Sequence, residues 1–255
     1  MHLEDVSRKV YLYYDASHVH SYDENGIDVI ELLPGTHDEV RAFKYFMKAG
    51  SVLKPELYAD RSVVYLFDGG KGVGLLKDEE AVRKLDTVCF YAPDYDKMPY
   101  TIHAVTDMEF VMVTANMDSH DCDCAVDTRL HLPFFRTEEQ CDRYDQDCKT
   151  PGTISRTVLY GEFDRLGRLT IGICEGGNCG GTVEKGHPEV HQWNYALSDS
   201  DYQLTVGAGE DADTYDRKGG DWDFIPAGPD HNLYAGSGKK VHYIWVEFNT
   251  NKRGK

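Results

Sequence analysis

The sequence predicts an all-β protein, arranged as a β-sandwich or β-barrel in one or two domains. Short runs rich in Val, Tyr and Phe recur along the chain between Gly, Asp and Pro residues, a pattern typical of antiparallel strands joined by turns. No long segment has the 3.6-residue period of helices that join parallel strands. The 255 residues are enough for two domains that each bury a core.

The first half of the chain contains short strand-like runs and one stretch compatible with a helical turn. The helical turn is expected over 78–85. The strand-like runs cover 10–14, 27–30, 42–47, 62–67, 72–76, 87–91, 102–105 and 110–115.

An acidic segment with many turn-forming residues follows, and we interpret it as an interdomain linker over 118–153. Four of its residues are cysteines that accompany two histidines, so a zinc site is one interpretation and a plain loop is the other. The loop is favoured because the cysteine spacing lacks a CxxC pair. The residues concerned are Cys122, Cys124, Cys141, Cys148, His120 and His131.

The second half is the more regular one, and its turns are rich in glycine. Its strand-like runs cover 157–160, 168–174, 190–197, 202–206, 222–225, 231–234 and 241–248. The sequence therefore predicts an N-terminal domain over 1–117 and a C-terminal domain over 154–255.

One motif in the second half has fixed spacing. Gly220 is followed after five residues by Pro226, then by Gly228, and after two more residues by His231. Pro226 and Gly228 are expected to form a tight turn, after which His231 opens the next strand. This pattern resembles the second sequence motif of the cupin family.

The first cupin motif is matched in part. Gly181 is followed after five residues by His187, but Glu189 stands where the family has its second His. On a strand, His187, Glu189 and His191 would share one face. In an alternative register, His187 takes the second His position, Lys185 the first and His191 the Glu position, and Glu189 leaves the site.

The resemblance implies a two-domain cupin, each domain an antiparallel jelly-roll β-barrel (double-stranded β-helix). It implies a metal site in the C-terminal barrel, held by His187, Glu189, His191 and His231. Three imidazoles and one carboxylate suit one divalent ion of Fe, Mn, Ni or Zn. The competing interpretation is a polar pocket without metal.

The N-terminal barrel is expected to be structural, because its motifs are degenerate. Glu56 and Tyr58 stand where the family places ligands. His103 is isolated, and we interpret it as a core histidine.

The net charge of −17, from 44 acidic and 27 basic residues, argues against nucleic acid and anionic membranes as partners. No run approaches eighteen apolar residues, and residues 1–14 lack the apolar stretch of a signal peptide, so a cytoplasmic protein is expected. We also expect a homodimer, since cupins commonly pair through edge strands and 10–14 is a candidate for such pairing.

Two functions fit these observations. The first is a mononuclear metal enzyme for a small oxygenated acid or a sugar-like substrate, with Glu189 as a metal ligand or a catalytic base. Isomerase or lyase chemistry is favoured over dioxygenase chemistry. The second is a non-catalytic bicupin that binds or senses a small molecule, which the degenerate first motif favours.

Overall fold

Antiparallel strands dominate the computed structural model, which describes residues 9–127, 130–160 and 166–250. The all-β prediction is therefore confirmed. The described chain forms two compact units. The C-terminal unit comprises the described residues 9–17, 142–160 and 168–250. The N-terminal unit comprises the described residues 18–127, 130–141 and 166–167.

The strands and the helix of the first half are short. In chain order they are β1 (Tyr11–Tyr13), β2 (Ile27–Leu32), β3 (Val40–Met47), β4 (Val52–Leu53), β5 (Arg61–Phe67), β6 (Gly74–Lys77), β7 (Val82–Leu85), β8 (Cys89–Ala92), β9 (Thr101–Ala104), β10 (Met108–Asn116), α1 (Ser119–Asp127) and β11 (Phe134–Thr137).

In its described residues, the second half contains strands and a short 3-10 turn, Gly209–Asp211. The strands are β12 (Asp142–Tyr144), β13 (Ile154–Leu159), β14 (Leu169–Gly177), β15 (Gly181–Glu184), β16 (Val190–Ala196), β17 (Asp201–Val206), β18 (Asp213–Lys218), β19 (Trp222–Ile225), β20 (His231–Tyr234) and β21 (Lys240–Asn249).

In its described residues, the N-terminal unit contains a six-stranded sheet, in the order β11-β8-β5-β10-β3-β2, and a four-stranded sheet, in the order β4-β9-β6-β7. Their core is aromatic: Tyr65 and Phe110 are fully buried there, and Tyr100 donates its phenol proton to Tyr65 at 2.8 Å. Strand β3 alternates strictly, so Tyr45 and Met47 join this core and the residue between them faces the other side.

The C-terminal unit is organised around the strand path β1-β19-β16-β21-β14-β13-β12, and the remaining described strands β15, β17, β18 and β20 branch from it. Its core includes Tyr202, Leu204, Leu233 and Tyr243. The strands that carry the two cupin-like motifs, β15 and β20, pair with each other at one side of this core.

Three expectations about organisation differ from the structure. Strand β1 groups with the C-terminal unit rather than with the domain predicted over 1–117, because it pairs with β19 and because Val10 and Leu12 pack against the C-terminal core. The segment expected to form a helical turn over 78–85 instead contains β7, which pairs with β6.

The third difference concerns the predicted linker over 118–153. It contains α1, then β11, which pairs with β8 of the N-terminal unit, and then β12, which pairs with β13 of the C-terminal unit. The boundary between the two units therefore falls at Cys141 and Asp142. Each half of the segment extends the sheet next to it, which residue composition alone does not show.

No helix within the described ranges is both long enough and apolar enough to span a bilayer.

Candidate metal centre

Strands β15 and β20 place a carboxylate beside an imidazole. They run antiparallel, and their register sets Glu184 directly opposite His231. Glycine is required at the start of β15, because a Cβ atom on Gly181 would lie 2.0 Å from the carbonyl oxygen of Leu233. The first glycine of the partial cupin motif thus permits the close approach of the two strands.

Three side chains from these segments point their ligand atoms at one another. Glu184, His187 and His231 each offer one such atom, and these atoms all lie within 4.8 Å of one another. Oε2 of Glu184 is 3.5 Å from Nε2 of His231. The imidazole rings of His187 and His231 lie edge to face, with centroids 5.1 Å apart.

The hydrogen bonds of His231 leave one ring nitrogen directed at oxygen atoms. Its Nδ1 lies 3.2 Å from the backbone carbonyl oxygen of Pro229 and donates its proton there. Its Nε2 faces Oε1 of Gln192 at 3.1 Å and the Glu184 carboxylate. Because the lone pair of Nε2 and the facing oxygen atoms are all acceptors, either a proton or a metal ion has to lie between them.

His187 supplies a second donor suited to a metal. Both of its ring nitrogens are buried and have no hydrogen-bond partner within the described part of the chain. Burial is the largest influence on its pKa and lowers it, and the charge of His231 lowers it further. A neutral imidazole without a partner is the form that binds a cation.

Glu184 and His231 each shift the pKa of the other. Burial by itself lowers the pKa of His231, but the hydrogen bond and charge of Glu184 outweigh it, so this pKa is raised. Burial favours the neutral form of Glu184, yet its bond to His231 holds the pKa of Glu184 below its usual value. The carboxyl group of Glu184 therefore stays ionised, and a metal ion bound there would displace the proton that the raised pKa of His231 favours. Carboxylate, imidazole and amide oxygen are together a suitable donor set for a divalent transition metal.

Two of the four residues predicted as ligands do not lie in this cluster. Glu189 is exposed, and its backbone carbonyl accepts the amide of Thr250 at 2.8 Å. Nδ1 of His191 accepts the amide proton of Ala227 at 3.2 Å. The reason is that β16 begins at Val190, so His187 precedes the strand, and the alternation expected from His187 to His191 does not apply.

The structure brings in residues that the sequence analysis did not select. Gln192 lies next to His191, which the alternative register places at the motif's Glu position, and that position was the available signal. Because successive residues of β16 face opposite sides, Gln192 points at His231 while His191 points away. Glu184 gave no motif signal, since only the pairing of β15 with β20 places it opposite His231.

A cavity of about 280 Å³ adjoins the cluster within the C-terminal unit. Glu247 contributes a carboxylate to its wall: Oε1 lies 3.9 Å from Nε2 of His187, and Oε2 accepts the hydroxyl proton of Thr170 at 3.3 Å. The described lining combines carboxylates, amides and aromatic rings and includes no Lys or Arg. It consists of Tyr144, Asp145, Gln146, Tyr160, Glu184, Gln192, Trp245 and Glu247.

The remaining candidates lie elsewhere. His103 bonds to the Thr101 hydroxyl at 2.9 Å in the N-terminal unit. Among the cysteines predicted to lie in the linker, Cys124 contacts Nε2 of His120 at 3.5 Å. No group of three or more metal-ligating side chains in the described residues includes a cysteine.

Comparisons with known proteins give structural similarity only. No family model matches the chain, and no curated protein matches it. An oxalate decarboxylase from Lactobacillus farciminis, solved as a formate complex, aligns with a TM-score of 0.67 at 13% identity, over 94% of this chain and 86% of the other.

Two further solved structures give the same result. A Pseudomonas aeruginosa protein described as glyoxylate-induced aligns with a TM-score of 0.69 at 14% identity, over 94% of this chain and 84% of the other. A variant of Bacillus subtilis oxalate decarboxylase aligns with a TM-score of 0.65 at 12% identity, over 94% and 77% of the two chains. At these identities the similarity bears on the fold alone, and it supports the cupin fold that the motif around His231 implies.

Proposed function

We propose that the C-terminal unit holds one divalent transition metal ion, of Fe, Mn, Ni or Zn, between Glu184, His187 and His231. The observation that carries this proposal is the environment of His231. Its Nδ1 donates a hydrogen bond to a backbone carbonyl, and its Nε2 faces two oxygen atoms. The neighbouring imidazole of His187 has two buried nitrogens with no hydrogen-bond partner among the described residues.

We further propose that the site performs isomerase or lyase chemistry on a small oxygenated substrate. The metal ion, when bound, supplies a Lewis acid that polarises a carbonyl or hydroxyl oxygen. Glu247 is the carboxylate assigned to move a proton, because it lines the cavity and lies beside the cluster without belonging to it. This role replaces the one expected for Glu189, which is exposed. The fold shared with oxalate decarboxylases is compatible with lyase chemistry.

The cavity favours a neutral, hydroxyl-bearing substrate, such as a sugar-like one, over a dicarboxylate. Glu247 and Asp145 add negative charge to the described lining, so a dianion is repelled. The amides of Gln146 and Gln192 can bond to hydroxyl groups, and the ring of Trp245 provides an apolar face.

The second candidate is a non-catalytic protein that binds a small molecule without metal. It is favoured by the degenerate first motif, in which the alternative register places Lys185, an exposed residue, at the first histidine position. The two candidates differ in metal content, which is measured directly.

The test is metal analysis of the purified chain and of two histidine variants. We expect one bound ion in the C-terminal site of the parent. His231→Ala should lose it, because it removes a buried ligand. His103→Ala is the matched control, because that histidine lies in the N-terminal unit beside the Thr101 hydroxyl, and it should leave this ion bound. Full metal retention in His231→Ala, or its loss in His103→Ala, would exclude the proposed site.

A further inference from the structure

A second cluster of metal-ligating side chains lies in the N-terminal unit. His18 and His20 precede β2, and Asp28 is the second residue of that strand. Nε2 of His18 lies 2.7 Å from Oδ2 of Asp28, and Nδ1 of His20 lies 3.3 Å from the same oxygen. The two imidazole nitrogens and the carboxylate oxygen are all within 4.8 Å of one another.

This cluster lies on the face of the six-stranded sheet that is opposite the aromatic core. The register of β2 and β3 sets Asp28 opposite Phe46. The neighbours of Phe46 in β3, Tyr45 and Met47, pack into the aromatic core. Since successive residues of a strand face opposite sides, Phe46 and Asp28 face away from that core.

The imidazoles are held in place by aromatic contacts. The ring of His18 stacks on Phe46, with centroids 4.7 Å apart and planes 10° apart. The ring of His20 meets Phe46 edge to face at 4.6 Å and stacks on Tyr22 at 5.3 Å. Packing on both sides fixes the direction of the nitrogen lone pairs before any ligand binds.

The carboxylate is positioned as well. Asp28 is only 5% exposed, and its Oδ2 accepts the backbone amide proton of Ser21 at 3.2 Å. The short segment that carries both histidines therefore also orients the acid that faces them. A backbone amide on a ligating carboxylate is a common feature of protein metal sites.

The spacing of the ligand atoms fits a small divalent ion. Metal bonds of about 2.0–2.1 Å place neighbouring ligand atoms roughly 2.8–3.4 Å apart in octahedral or tetrahedral geometry. The two measured separations from Oδ2 of Asp28, 2.7 and 3.3 Å, need only small adjustments to meet that range. His20 lines a cavity of about 390 Å³, which gives an ion access and leaves room for water ligands.

We propose that His18, His20 and Asp28 form a second divalent metal site, distinct from the one in the C-terminal unit. Two imidazoles and one carboxylate with an open position suit Zn²⁺, with water completing the coordination. The alternative is that both imidazoles simply donate hydrogen bonds to the carboxylate.

The experiment removes the C-terminal cluster first. In the full chain carrying His187→Ala and His231→Ala, we expect one equivalent of Zn²⁺ to remain bound at micromolar zinc, measured by competition with a chromophoric chelator. Adding His20→Ala should weaken this binding by at least about tenfold. Asp28→Asn, which preserves the shape of the buried side chain, should weaken it in the same way.

His103→Ala in the same background is the matched control, as it changes another histidine of the N-terminal unit, and it should leave zinc binding unchanged. Circular dichroism confirms that each variant is folded. Absence of zinc in the background protein, or undiminished binding after both His20→Ala and Asp28→Asn, would overturn the proposal. If the parent and the background bind equal amounts, the C-terminal site fails, whereas zinc that depends on His20 still supports the second site.

Discussion

Gln192 is the residue whose chemistry differs most from what the cupin motif leads one to expect. Its neutral amide oxygen lies 3.1 Å from Nε2 of His231, one residue beyond the position that the alternative register assigns to the motif's Glu. We expect Gln192→Glu to tighten binding of a divalent ion by about tenfold or more, because an anionic oxygen binds the cation better than a neutral one. Competition with a chelator measures the affinity. Gln146→Glu, which adds the same charge elsewhere in the cavity lining, is the control and should have a smaller effect.

Asp199 allows a prediction about pH and stability. It accepts hydrogen bonds from Nδ1 of His242 at 2.9 Å and from Nζ of Lys240 at 2.5 Å. Burial opposes ionisation, but these bonds outweigh it and hold the pKa of Asp199 well below its usual range. A carboxyl whose pKa is lowered by folding adds stability above its unfolded pKa, and this contribution is lost as the pH falls through the folded value.

Asp199→Asn should therefore lower the free energy of unfolding by about 1 kcal/mol at pH 7. The difference from the parent should narrow as the pH falls below the unfolded value of 3.8. Urea unfolding of the parent and the variant, at pH 7 and at a pH below 3.8, measures this difference in unfolding free energy. Asp201→Asn removes an acid from the exposed pair with Lys239 and should change stability little. A difference for Asp199→Asn that grows at low pH would contradict this account.

At the scale of the strand, the contact between β15 and β20 links stability to the metal centre. Gly181→Ala would place a Cβ atom 2.0 Å from the carbonyl oxygen of Leu233 and force the two strands apart. We expect a loss of about 2–4 kcal/mol in unfolding free energy, together with weaker metal binding, since Glu184 and His231 would separate. Chemical denaturation and metal analysis measure both effects. Gly236→Ala is the control, because among the described residues, its chain neighbours aside, no atom lies within 4 Å of the added Cβ. Equal stability of the two variants would refute the role of the close contact.

The same pair of strands shows how far the sequence can predict the site. The spacing of the two motifs identified His187 and His231, because such spacing can be read from the sequence alone. The pairing of β15 with β20 selects Glu184, and the start of β16 at Val190 sets which side His191 faces. Both depend on register, and a shift of one residue in register turns every side chain to the other face. Strand content was predictable from residue type and alternation.

At the scale of the whole molecule, strand β1 shows why domain boundaries were harder to predict than strands. An apolar run such as 10–14 predicts a strand but does not specify its partner. The structure pairs it with β19, about two hundred positions later in the sequence. The sequence predicts it as part of the N-terminal domain because it lies next to that domain's strands in the chain.

Self-association is the last prediction, and it concerns the edge of β1 that does not pair with β19. Among the described strands of the C-terminal unit, β1 lies at one end of the strand order and pairs with β19 along one edge. Its other edge can therefore pair with a second copy of the chain. We propose that the protein forms a homodimer through this edge.

Sedimentation at micromolar concentration should give twice the chain mass of 28.9 kDa. Tyr11→Lys should shift the population toward monomer, because a charged side chain on an edge strand opposes pairing. Val29→Lys, on the edge strand β2 of the N-terminal unit, is the control and should remain dimeric. A monomeric parent protein, or equal association of both variants, would refute the proposed interface.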